Sequence, residues 1–318
     1  MAPLRSTTRY LRFTAYRAES PQRCPLLEQL LARADASAPV ADWRADAFRA
    51  IAAPETLMPG VAAAALYADL GAVQGASALI ATPVHYVAEM NNVRLPAAGV
   101  LSLCPSDAVT LAGDFNRVWH DAGIRLLAGR TGALYCVMDR PTAAITRDPQ
   151  RIQGRHIEQH LPAGDDAPRV RQLMSEIEMW LFEHPVNRTR VADAAPEVSA
   201  LWLWGCSAVA SSLPPVDGWA AGDDPFFKAF AAPPNAAGAD GFGGAARPGP
   251  GVAVIDAVPG AAEWGGFGSP WLDRSVADLR SGRIARLELS AADRKFIVSS
   301  RWRRRFWRRL RPWWEFFA

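Results

Sequence analysis

The sequence predicts a mixed protein of the α+β or α/β class, with a helical N-terminal part and a basic C-terminal helix. Three observations carry this. Leucines at helical spacing and an Ala-rich run fill residues 25–80. From 82 to 138 the patterning reads strand, strand, helix, strand, strand, the order of an antiparallel sheet covered by a helix. From Asp293 to Ala318 nine Lys/Arg face two acids, so that segment carries +7 and the rest of the chain −4, within a net charge of +3.

Taken in order, Leu26, Leu27, Leu30 and Leu31 mark a first helix and Val61–Leu70 a second that ends at Gly71; Pro54, Pro59 and Gly60 break the region. Thr82–Val87 and Val93–Leu95 read as short strands around an Asn91-Asn92 turn. Ser106 is the expected N-cap of a helix with Leu111, Phe115, Val118 and Trp119 on one face, ending at Gly123. Ile124–Ala128 and Ala133–Met138 form a hairpin. Val170, Leu173, Met174, Ile177, Trp180 and Leu181 line an amphipathic helix stopped by His184-Pro185. Val198–Trp204 is a buried strand, Val252–Val258 another, Asp273–Arg280 a helix, and Ile284–Leu289 with Lys295–Val298 a hairpin.

The expected organisation is therefore a helical part at 1–80, an α+β core at 81–206 and an Ala/Gly/Pro-rich loop at 207–250. A strand–helix–hairpin segment at 251–300 closes the core, and an Arg/Trp-rich tail occupies 301–318. With 50% hydrophobic residues over 318 positions, the chain is neither disordered nor a small disulfide scaffold. Cys24, Cys104, Cys136 and Cys206 lie far apart without a C-x-x-C pair, which fits a reducing compartment and no structural zinc. Arg5, Arg9 and Arg12 precede the first acid without the apolar run of a secretory signal. No window reaches membrane-span length, so a cytoplasmic protein is expected, with a transit-like N-terminus left open.

Four features invite chemistry. His156 and His160 stand at i, i+4, but Glu158 falls at i+2 and no third ligand is evident; a solvated pair is expected and no metal ligand is assigned. Gly241-Phe242-Gly243-Gly244 lacks a preceding strand and reads as flexible loop. The tail interleaves Arg301, Arg304, Arg305 and Arg308 with Trp302, Phe306, Trp307 and Leu310, the last four on one helical face. Such a stretch either packs on the body or meets a polyanion, nucleic acid or an anionic membrane. Finally, His184, Asn187, Arg188 and Arg190 follow a helix end, and Trp204-Gly205 ends the next strand. His, Asn and Arg there could hold a small phosphorylated or anionic ligand, or merely close a capping loop.

The residues Glu176-Ile177-Glu178-Met179-Trp180-Leu181-Phe182-Glu183-His184-Pro185-Val186-Asn187, followed by Ala200-Leu201-Trp202-Leu203-Trp204-Gly205, resemble a motif of an uncharacterised bacterial family. That family is labelled pathogenicity-factor regulator or phosphoglycerate mutase. The likeness extends weakly over 80–318. It also points to the archaeal-type cofactor-independent phosphoglycerate mutases of the alkaline-phosphatase superfamily, which carry a similar H-P-V-N-x-x-R stretch. The resemblance implies a central sheet flanked by helices. It also implies a two-metal site held by Asp and His, with a phosphorylatable Ser. This chain departs from that pattern. Trp204 and Cys206 stand where those mutases have Arg and Ala, no Asp-Gly occurs in the first hundred residues, and no histidine follows His184.

The expectation is a bacterial, cytoplasmic, non-catalytic relative of 2,3-bisphosphoglycerate-independent phosphoglycerate mutase that binds or regulates and needs no cofactor. Two alternatives stay open: a mutase-like, divalent-metal-dependent phosphotransfer enzyme, and a protein that docks on nucleic acid or membrane through its tail.

Overall fold

The computed structural model describes residues 8–14, 22–231, 249–261, 264 and 268–317; Gly241-Phe242-Gly243-Gly244 lies outside them. Chain order begins β1 (Thr8–Phe13), α1 (Pro25–Arg33), β2 (Asp35–Ala36) and α2 (Trp43–Phe48). It continues α3 (Val61–Leu70), β3 (Ser77–Val84), β4 (Val87–Ala88), β5 (Val93–Leu95), α4 (Pro105–Val118), β6 (Ile124–Ala128) and β7 (Leu134–Met138). Then come β8 (Arg155–His156), α5 (Ala167–Phe182), α6 (Pro185–Ala192), β9 (Ala200–Ala208), β10 (Trp219–Gly222) and α7 (Pro225–Lys228). The last are β11 (Gly251–Ile255), α8 (Gly268–Arg280), β12 (Arg286–Ala291) and β13 (Arg294–Ser299). The mixed α/β class is as expected. The chain divides into two compact units, one made of Met1–Met58 with Pro214–Ala318 and the other of Pro59–Leu213.

The first unit is built on a six-stranded sheet in the order β10-β11-β1-β12-β13-β2. Strands β10, β11, β1 and β12 run parallel; β13 turns back against β12 and pairs β2. Leu11, Phe13, Ala253, Ile255, Leu287 and Leu289 of the sheet pack with Leu27, Leu30, Trp271 and Leu279 of α1 and α8. Strand β1 was not legible, because Arg9 and Arg12 interrupt its apolar pattern. Arg9 is fully buried all the same. Its guanidinium meets Asp278 at 2.7 Å and lies 5.4 Å from the Trp219 ring centroid. A charge is tolerated there because it is paired and covered by an aromatic face.

The second unit holds an antiparallel sheet, β6-β7-β3-β9, as the strand–strand–helix–strand–strand pattern implied, and a small sheet β4-β5-β8. Leu111 and Phe115 of α4 and Val170, Leu173 and Ile177 of α5 cover the main sheet in a core with Leu79, Val137, Leu201 and Leu203. Helix α4 starts one residue before Ser106, with Pro105 in its first turn, and ends at Val118 rather than Gly123. The strand expected at Thr82–Val87 lies earlier, at Ser77–Val84, because the run Ala78–Ala81 is buried on both faces.

Three expectations are corrected. The 207–250 stretch, expected to be loop, contains β10 and α7 among its described residues; Asp224 caps α7 and meets Arg44 at 2.6 Å. His156 and His160 do not share a helix: His156 is in β8 and His160 ends a 3-10 turn, Glu158–His160. The basic C-terminal helix is two separate 3-10 turns, Trp302–Arg305 and Trp313–Phe316. A continuous α-helix would stack Arg301 on Arg305 and Arg304 on Arg308, like charges at i, i+4, and Pro312 stops it.

Candidate functional site

The residues singled out around His184 sit at the junction of α5, α6 and β9. His184 is the N-cap of α6, with Pro185 in the first turn, where a missing N–H costs nothing. Its Nδ1 accepts the Val186 N–H at 3.2 Å. The neutral ring therefore carries its proton on Nε2, which lies 3.1 Å from Asp114 Oδ2 on α4. The imidazole and the Trp180 ring pack edge to face, centroids 4.7 Å apart.

Asn187 is buried and spends its whole amide on backbone. Nδ2 donates to the Leu181 carbonyl at 2.9 Å and to the Val198 carbonyl at 3.0 Å, and Oδ1 accepts the Val198 N–H at 2.8 Å. The side chain thus extends the strand ladder and ties the end of α5 to the approach to β9. Arg190 donates to the Pro196 carbonyl at 2.7 Å, closing the same loop. Arg188 is exposed.

Trp204 and Gly205 belong elsewhere. Trp204 is buried and its indole N–H donates to Thr82 Oγ1 at 2.8 Å. Gly205 has φ +72°, and its N–H donates to Thr146 Oγ1 at 2.9 Å. A Cβ on Gly205 would lie 3.3 Å from the Ala62 nitrogen, so glycine serves backbone geometry at the β3–β9 irregularity. Six residues of extended chain, about 20 Å, separate Val198 from Trp204. The structure joins His184, Asn187 and Arg190 into one clip and leaves Trp204 and Gly205 outside it.

What lies open beside the clip is a pair of adjoining grooves of about 640 and 550 Å³. Phe182, Glu183, Asn187 and Glu197 border both. Met179, Phe182 and Val191 stand exposed there, with Glu178, Glu183 and Glu197 against Arg188. Burial pushes the Glu178 carboxyl above the ordinary carboxylate range. The wall is acidic and apolar.

The thiols are subdued. Burial pushes Cys136 up to about 12 and also raises Cys206, whose Sγ lies 3.1 Å from the Thr142 carbonyl. Cys104 is the exposed thiol. Elsewhere, His156 Nε2 lies 3.1 Å from Glu89, and burial lowers the affinity of His160 for a proton.

In the first unit, the C-terminal ends of parallel strands are the usual ligand edge of such sheets. Thr14 donates to Asp256 Oδ1 at 3.0 Å at that edge, between β1 and β11. Sequence reasoning missed Asp256; its signal is an acid placed directly after the apolar run Val252–Ile255. The resemblance implies a pair of metal ions, but among the described residues no group of three or more His, Cys, Asp or Glu is gathered to hold one.

The tail residues divide. Trp302 is 2% exposed, with the guanidinium groups of Arg33 and Arg303 over its ring, and Trp313 and Phe316 are buried in the same core. Arg305 grips Asp35 at 2.9 Å and Arg308 donates to the Ala34 carbonyl at 2.7 Å. Arg301, Arg304 and Trp307 face outward. Among the described residues no helix is long and apolar enough to cross a membrane.

No family model matches the chain. It is 42% identical over 62 residues to the 2,3-bisphosphoglycerate-independent phosphoglycerate mutase of Methanothrix thermoacetophila, a stretch covering 20% of this chain and 16% of that protein. It is 37% identical over 57 residues to the "Probable 2,3-bisphosphoglycerate-independent phosphoglycerate mutase" of Geobacter sulfurreducens, covering 18% and 14%. The chain thus spans about a sixth of the length of the curated relatives it matches. These stretches show distant homology to cofactor-independent phosphoglycerate mutase. Among solved structures, the cofactor-independent phosphoglycerate mutase of Thermoplasma acidophilum aligns over 92% of this chain and 89% of its own, at 16% identity and TM-score 0.37. A Pyrococcus horikoshii protein aligns over 92% and 87%, at 10% identity and TM-score 0.43.

Proposed function

We propose that this chain is a non-catalytic relative of the cofactor-independent phosphoglycerate mutases that acts by binding. The observation that supports the reading is the use made of the His-Pro-Val-Asn segment. Both ring nitrogens of His184 and all three hydrogen-bonding groups of Asn187 used in the clip face the protein's own backbone or Asp114. On this reading the motif shared with the mutases is architecture, and chemistry resides in residues this chain lacks.

The binding surface of the proposal is the groove bordered by Phe182, Glu183 and Glu197. Its three glutamates against one arginine favour a cationic, partly apolar protein segment over a phosphorylated metabolite. The test is a coupled assay on purified protein, with 3-phosphoglycerate as substrate and enolase as reporter, with and without manganese. No turnover is expected in either condition. Manganese-dependent turnover would overturn the reading and establish the chain as an enzyme with a different ligand set.

A further inference from the structure

We infer that the C-terminal segment between Trp302 and Trp313 is a docking finger for the surface of an anionic lipid bilayer. The inference starts from an inversion of the expected helical face. Trp302, Phe306, Trp307 and Leu310 were expected to share one side. Instead Trp302 is sunk in the core of the first unit, as is Trp313, while Phe306 is 75% exposed, Trp307 69% and Leu310 46%. The segment is pinned at both ends and presents its apolar side chains at the crest.

Charge surrounds that crest. Arg301, Arg304 and Arg309 are exposed, and Arg303 and Arg311 lie over the Trp302 and Phe316 rings. Arg305 and Arg308 are already spent on Asp35 and on the carbonyls of Arg33 and Ala34. Within 301–318 the sole acid is Glu315. Exposed aromatics in a cationic collar match the headgroup region of a negatively charged bilayer, where ring and guanidinium each find their preferred depth.

Two details favour lipid over nucleic acid. The Phe306 and Trp307 rings close on each other edge to face, centroids 5.5 Å apart and planes at 80°, so they form one apolar wedge rather than two free stacking platforms. Leu310, the third apolar member, has no face on which a base could stack.

The experiment is co-sedimentation of the full chain with vesicles of phosphatidylcholine alone, and of phosphatidylcholine with an equal part of phosphatidylglycerol, at low and high salt. Binding to the anionic vesicles alone, lost at high salt, is expected. The pair Arg304→Gln/Arg309→Gln is expected to weaken partition about fivefold per arginine. Phe306→Ser/Trp307→Ser is expected to abolish it with the melting temperature unchanged, since both side chains lie outside the core. Absence of anionic-vesicle binding at low salt would overturn the inference, as would binding untouched by either pair. Tight binding of a single-stranded oligonucleotide without vesicle binding would assign the finger to nucleic acid instead.

Discussion

Asn187 and Val198 exchange two hydrogen bonds, side chain to backbone, at 2.8 and 3.0 Å. Eleven residues separate them, and the exchange turns a side chain into one rung of a β-ladder. A third bond, to the Leu181 carbonyl, makes Asn187 the point where α5, α6 and the approach to β9 are locked together. Asp114 adds a fourth element by meeting His184 from α4.

Because the clip is buried, removing it strands polar groups. Asn187→Ala takes the partners printed for the Val198 N–H and carbonyl and one of the donors to the Leu181 carbonyl, which still accepts the His184 N–H, and is expected to cost about 3 kcal/mol. Asn187→Asp is expected to do no better, since a carboxylate cannot donate to either carbonyl. His184→Ala loses an N-cap and its link to α4, an expected loss of about 1–2 kcal/mol. Urea unfolding midpoints of the three variants check this. Wild-type stability in Asn187→Ala would show that the amide contributes little to holding the junction.

The sequence made this junction visible but not its meaning. Helix α5, strand β5 and the hairpin of β6 and β7 were legible because their apolar periodicity or turn residues are local. The role of Asn187 was not, since its partners Leu181 and Val198 are fixed only once α6 turns the chain back. The same holds for β1: its neighbours β11 and β12 lie more than two hundred residues away, and the burial of Arg9 depends on Asp278 and Trp219. The tail misled for a third reason. Helical periodicity placed Trp302 with Phe306 and Trp307, whereas repulsion among the arginines and Pro312 broke the helix and sent them to opposite environments.

The Arg9–Asp278 pair predicts an acid-sensitive core. Burial opposes ionisation of Asp278, yet hydrogen bonds from Arg283 and Arg9 outweigh it and hold the carboxyl below the usual carboxylate range. A folded pKa below the unfolded one gives stability that is fully present above the ordinary aspartate value, about 4. It is lost as pH falls through the depressed value. Thermal unfolding of wild type is therefore expected to steepen its pH dependence below about pH 4, and Asp278→Asn to flatten it. At neutral pH, Arg9→Ala is expected to cost about 3–5 kcal/mol, because it leaves a charge buried with part of its pairing gone. Equal pH slopes in wild type and Asp278→Asn would assign the acid response to other carboxylates.

Thiol chemistry separates the cysteines. With Cys136 pushed up to about 12, roughly one molecule in ten thousand carries its thiolate at pH 8. Cys24 and Cys206 are half-buried and also raised. Native protein treated with a thiol reagent at pH 8 is expected to react first at Cys104, and at all four positions only in denaturant. Mass mapping of the modified residue checks this; early labelling of Cys136 would mean that the β7 strand opens readily.

The two ends of the tail are expected to respond oppositely to mutation. Trp302 and Trp307 are five residues apart in a segment of uniform composition, so any account based on composition treats them alike. Their environments differ completely: Trp302 is enclosed by α1 and the ring-stacked Arg33, whereas Trp307 touches Phe306 and solvent. Trp302→Ala empties a core site and is expected to cost about 3–5 kcal/mol. Trp307→Ala is expected to fall within about 0.5 kcal/mol of wild type. Truncation before Ser300 removes Trp302, Trp313 and Phe316 together, and so is expected to damage the first unit rather than trim a free arm. Chemical denaturation of both point variants and the truncation decides the matter. Equal, small effects at Trp302 and Trp307 would mean that the segment is not anchored, and would remove the rigid base on which the exposed crest depends.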